Sequence, residues 1–96
     1  MPDIEWSDSA SDDMYEIWGF IALDDEKAAD RIIDGIRTRC VLLSDFPNAA
    51  ERRPDLGANI RASPVGSLIV YYHATPTSIR IIRVLDGRRS MDDSLS

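Results

Sequence analysis

Apart from carboxylates and hydroxyls, the side chains of this 96-residue chain that can do chemistry are few, and most of them are arginines. There is one histidine (His73), one lysine (Lys27) and one cysteine (Cys40). A lone histidine in a strand-like stretch is more often a structural or surface residue than a catalyst. No spacing of a metal site or of any cofactor motif is present. Cys40 falls within a helical apolar pattern and reads as a small core residue; being alone, it excludes a disulfide framework. What stands out is Ser78 to Arg89, where Arg80, Arg83, Arg88 and Arg89 interrupt and follow an apolar run. That arrangement provides a local positive surface rather than acid–base catalysis.

The element that must position these arginines is a strand. Ile79, Ile81, Ile82, Val84 and Leu85, closed by the Asp86-Gly87 turn signal, suit a covered strand and predict the central one of a sheet. Arg80 reads as surface charge at the end of a hairpin. Arg83 is expected to share a face with Ile79, Ile81 and Leu85, where a guanidinium must find an acid, a carbonyl or water. The expectation is one patch of Arg61, Arg83, Arg88 and Arg89 on the uncovered side of the sheet.

The rest of the chain supplies that sheet and its cover. Asp3 to Trp6 alternates and reads as a short edge strand with Ile4 and Trp6 inward. Ser7 or Ser9 offers an N-cap for a helix whose stripe is Ala10, Met14, Ile17 and Ile21, widened by Trp18 and Ala22, with Asp8, Asp12 and Asp13 near its positive end. Asp24-Asp25-Glu26 breaks this helix and caps a second, longer one, periodic from Ala28 to Phe46 and stopped by Pro47. So short a connection forces an antiparallel helical hairpin. Residues 47–59 lack a period and read as the longest loop, with Arg52 and Arg53 anchoring it. Short strands follow at Ile60 to Ser63 and Ser67 to Ala74. The layout is α+β, in the order β-α-α-β-β-β, with the helical hairpin packed on one face of a mainly antiparallel sheet.

Length predicts a single domain over residues 1–96, ending in a short flexible tail over 90–96 whose Met91 or Leu95 offers an anchor. No apolar run approaches the roughly 20 residues needed to span a bilayer, and the start does not resemble a signal peptide, so a soluble cytoplasmic protein is expected. The formal net charge of −6 argues against a domain that coats nucleic acid. The charge is uneven: residues 1–49 carry twelve acids against four bases, and residues 50–96 seven arginines against five acids.

In order and spacing, several pieces of the chain resemble the RelE/ParE superfamily of toxins, and within it the ParE branch of bacterial type II toxin–antitoxin modules. They are Trp6-Ser7, Ile17-Trp18 with Phe20-Ile21-Ala22, Ala28-Ala29-Asp30-Arg31, Phe46-Pro47, Arg53-Pro54-Asp55-Leu56-Gly57, Pro64-Val65-Gly66-Ser67, and Ile82 through Arg89. The resemblance implies a toxin without cofactor that inhibits DNA gyrase, forms a hetero-oligomer with a cognate ParD-like antitoxin, and contacts neither membrane nor a specific nucleic-acid sequence. It further implies that the helical hairpin and sheet edge receive the antitoxin, while the C-terminal end of the sheet serves toxicity. Trp18, Phe20 and Ile21 spread more broadly around the first helix than one face can bury. With Arg53 and Leu56 of the loop, they are assigned to the antitoxin surface.

Two other functions remain open. RelE-like cleavage of messenger RNA needs a group to take the 2′-hydroxyl proton, one to protonate the leaving oxygen, and cations for the phosphate. His73 and Lys27 are thin provision for that, and enzymatic activity is not expected. A toxin-fold module that has lost toxicity is favoured by Asp86 and Ser90, which stand where the family pattern usually has His and Asp.

Overall fold

The computed structural model describes residues 3–87. Its elements are β1 (Asp3–Trp6), α1 (Asp8–Ala22), α2 (Glu26–Asp45), β2 (Glu51–Arg52), β3 (Ile60–Val65), β4 (Leu68–Ala74) and β5 (Ser78–Asp86). The five strands form one sheet in the order β1-β5-β4-β3-β2, antiparallel except for the β1–β5 pair. The α+β layout with a helical hairpin on one face is as expected. β4, rather than β5, is the middle strand, and β2 is an additional two-residue edge strand inside the stretch read as loop.

Local chemistry accounts for the boundaries. Ser7 caps α1, its Oγ accepting from the Ala10 amide at 3.0 Å, and Asp25 caps α2 in the same way through the Ala28 amide at 3.1 Å. The Ser7 hydroxyl also donates to the Ile82 carbonyl at 2.7 Å, so this cap ties the start of α1 to β5. After α2, the Pro47 carbonyl accepts from the Tyr72 hydroxyl at 2.7 Å, fixing the entry to the long loop. Gly66, at φ 61°, makes the two-residue turn between β3 and β4. Pro64 lies beyond the end of β2, where β3 needs no amide donor on that side.

The main core lies between the helices and the sheet: Met14 from α1, Ile36 and Leu43 from α2, Val70 and Tyr72 from β4, and Ile79 and Ile81 from β5. The other face of the sheet is not bare, for Tyr71 and Leu85 are buried there with Ile69, Ile82 and Ala62 under Leu56 of the loop. Opposite Tyr71 and Tyr72 the β4–β5 register slips: Tyr71 faces Arg83 and Tyr72 faces Ile81. Ile82 is the extra residue, and a bulge of this kind re-aims the side chains that follow it.

Candidate functional site

The bulge changes the expected arginine patch. Beyond it, Leu85 joins the cluster on the far face, while Arg83 meets Asp13 of α1 through two bonds, Nε to Oδ2 at 2.8 Å and Nη2 to Oδ1 at 2.9 Å. Asp13 Oδ2 also accepts from the Val84 amide at 2.9 Å. Ile79 and Ile81 face the helices and Leu85 the opposite side, so the expected shared face does not form, and Arg83, bonded to α1, does not join a patch on the side away from the helices. Its hydrogen bonds to Asp13 strengthen the hold on its proton, and the Glu16 carboxylate adds to this.

Arg61, Arg53 and Arg80 are engaged elsewhere as well. Arg61 donates to the Ala50 carbonyl at 2.7 Å and to the Asn48 side chain at 3.2 Å, so it organises the loop after α2 instead of joining Arg83. Arg53 forms a fork with Asp55, at 3.1 and 2.8 Å, which holds the protonated guanidinium and keeps the Asp55 carboxyl below its usual range. Arg80 pairs across the parallel strands with Glu5 at 3.2 Å. Arg88 and Arg89 lie outside the described residues, as does Ser90.

Among the described residues, groups for bond-making chemistry do not converge. His73 is half-buried on β4, and among the described residues no acid or hydroxyl is hydrogen-bonded to its ring. Burial pushes the Cys40 thiol up to about 12, which leaves it protonated and poorly nucleophilic at neutral pH. Among the described residues no group of three or more His, Cys, Asp or Glu could hold a metal ion, and no helix is long and apolar enough to cross a membrane.

What the surface does offer is a pair of grooves flanking α1. On one flank Trp6, Tyr15, Trp18 and Ile33 meet Asp34 and Arg37, and the Trp18 indole donates to Asp30 Oδ1 at 2.8 Å. On the other, Ile17, Phe20 and Ile21 face Leu68 and Val84 near the ends of β4 and β5. Trp18 is 38 % exposed and Phe20 78 %. The expected single apolar surface of Trp18, Phe20 and Ile21 is thus divided by the helix, with Trp18 on one side and the other two opposite. Leu56 belongs to neither groove, being packed over Tyr71 on the other face of the sheet.

The chain matches, over residues 4–91, the model of the family described as the ParE toxin of the type II toxin–antitoxin system parDE. It belongs to this family. The ParE-family fold recurs in solved structures of low sequence identity. A chain of the chromosomal ParDE toxin–antitoxin system from P. aeruginosa superposes with a TM-score of 0.73 at 18% identity, covering 90% of this chain and 96% of that one. A chain of the E. coli DinJ–YafQ complex gives 0.63 at 17%, covering 92% and 96%. No curated protein matches at a significant level.

Within this ParE-family chain, two features had only faint sequence signals. Asp13 directly precedes Met14 of the apolar stripe, a position where a carboxylate is drawn inward, yet it reads first as a helix-dipole acid. Val41 and Leu42 in the second half of α2, and Phe46 at its C-cap, are exposed, although Phe46 continues a periodic apolar run.

Proposed function

We propose that this chain is the toxin of a type II module, that it acts in the cytoplasm by inhibiting DNA gyrase, and that a cognate ParD-like antitoxin neutralises it by binding. The observation that carries the reading is the surface of α1. A ParE-family chain exposes two apolar grooves beside a tethered helix, which suits recognition of another protein, and among the described residues proton-transfer groups do not converge. In this reading the grooves face the antitoxin, and Arg88 and Arg89, which follow the end of β5, meet the target. Arg61 and Arg83 support those surfaces from behind, through the loop and through α1.

The test is supercoiling and cleavage-complex formation by purified gyrase with and without the protein, beside a translation reaction sampled for cut message. Inhibited gyrase with intact message is the expected result. Cut message with unaffected gyrase assigns a RelE-like nuclease instead and turns attention to His73. No effect on either, with antitoxin binding retained, identifies a module that has lost toxicity and makes Asp86 and Ser90 the next positions to change.

A further inference from the structure

α2 is buried along one side only. Ile36, Cys40 and Leu43 face the core, whereas Arg31, Gly35, Thr38, Leu42 and Asp45 are exposed. Their spacing alternates between four and three residues, which sets them in one line along the side of the helix opposite the core. Leu42 is 47 % exposed, and Val41 and Phe46 at the margins of the line are 54 % and 60 % exposed, so the far half of α2 presents a contiguous apolar patch to water. None of these residues lines either groove beside α1.

The line is complementary to itself. When two copies of α2 lie antiparallel with Thr38 on a two-fold axis, residues equally far to either side of Thr38 come opposite each other. Arg31 of one copy then meets Asp45 of the second, and the symmetry makes this pair twice. Among the described residues neither Arg31 nor Asp45 has an ion pair or a side-chain hydrogen bond within its own chain. Nearer the axis, Gly35 comes opposite Val41 and beside Leu42. A methyl group added at Gly35 meets nothing within 4 Å, so the glycine leaves a hollow that an apolar side chain from outside can enter. Arg37 and Arg39, which adjoin Thr38, turn away from the line: Arg37 lines the groove beside Trp18, and Arg39 donates to the Ser63 hydroxyl and the Pro64 carbonyl.

We propose that the exposed line of α2 is an interface with a second copy of this chain, an antiparallel α2–α2 contact in which two Arg31–Asp45 pairs flank Leu42 and Val41. Two heptads of helix bury a small area, and a chain of net charge −6 repels its own copy, so the dimer is weak and dissociates in the micromolar range. The contact goes beyond the toxin reading: it needs no antitoxin and uses neither groove of α1.

The test is sedimentation equilibrium of the full chain from about 1 to about 500 μM, which is expected to follow a monomer–dimer equilibrium. Arg31→Glu and Asp45→Arg each set like charges opposite each other twice, and each is expected to weaken the dimer at least about tenfold. The decisive sample is an equimolar mixture of these two variants, in which both contacts again join opposite charges. The mixture is expected to dimerise about as well as the unmodified chain, although neither variant does so alone. Both variants remain net negative, so general attraction between them does not produce this result. Leu42→Asp is expected to be monomeric throughout, and far-UV circular dichroism of each variant confirms folding. A chain that stays monomeric at every concentration overturns the proposal and leaves the apolar patch to a different protein. A mixture that associates no better than its components overturns it too, as does a dimer that Leu42→Asp leaves intact. A dimer dissociated by Phe20→Asp and not by Leu42→Asp assigns self-association to the flank of α1 instead.

Discussion

Asp13 shows how one carboxylate can organise a small protein. Only 7 % of its side chain is exposed, against 23 % for Arg83, and it receives two guanidinium bonds and a backbone amide. Removing one member of such a pair leaves a poorly solvated charge, which typically costs about 3 kcal/mol, while removing both avoids that penalty. Asp13→Ala is therefore expected to lower the midpoint of urea unfolding sharply, with Asp13→Ala/Arg83→Met less destabilised than the sum of the single changes. Additive effects would mean that the pair is not coupled. A second prediction concerns alkaline pH. Burial raises the Cys40 thiol from 9.0 to about 12, and burial likewise raises the Tyr72 hydroxyl, whose proton is needed to donate to Pro47. Groups raised in the folded state contribute stability that is fully present below their unfolded values and is lost as pH climbs through the folded ones. Urea midpoints are expected to hold up to about pH 9 and then fall, with a shallower fall in Cys40→Ala; a flat profile would contradict the assignment.

At the scale of elements, α1 and α2 owe their form to caps and periodicity, and their packing leaves some helix positions free. Gly35 stands inside α2, and a methyl group added there meets nothing within 4 Å. Gly35→Ala is thus expected to stabilise the chain by about 1 kcal/mol, seen as a higher midpoint in thermal or urea unfolding. Gly66 is the contrasting case: its φ of 61° is costly for a side chain, so Gly66→Ala is expected to destabilise despite the open space around it. The same distinction explains which elements were legible. The helices announce themselves through Ser7, Asp25 and the recurrence of apolar residues, and β1 through its alternation, because all these signals are local. β2 has two exposed residues and exists only because β3 pairs with it. The bulge at Ile82 depends on the register of β4 against β5 and on the Ser7 hydroxyl that takes the Ile82 carbonyl, so nothing within Ile79 to Leu85 foretells that Arg83 turns to α1 while Leu85 turns away. For the candidate site, an excess of apolar residues on α1 was readable, but its division into two grooves was not, since that depends on where α2 and the β4–β5 end meet the helix.

At the scale of the molecule, acids and arginines are sorted along the chain and by layer. The helical hairpin holds the net negative charge, whereas Arg88 and Arg89 follow β5, at the end of the strand farthest from its pairing with the start of β1. A protein that must be silenced by one partner and engage another gains from keeping the two contacts on different surfaces, because each can then be altered alone. The proposed function therefore predicts separable defects. Phe20→Asp, on a side chain 78 % exposed, is expected to weaken the antitoxin complex by about tenfold or more while leaving gyrase inhibition and the unfolding midpoint nearly unchanged. Arg88→Ala/Arg89→Ala is expected to show the reverse, with inhibition lost and antitoxin affinity retained. Trp18→Asp provides the control for packing: its indole bridges to Asp30 of α2, so some loss of stability accompanies any loss of binding. If Phe20→Asp instead lost stability as fast as binding, the α1 flank would be core rather than interface. If the double arginine change reduced both activities together, one surface would be serving both partners, and neutralisation would work by directly covering the gyrase-binding residues.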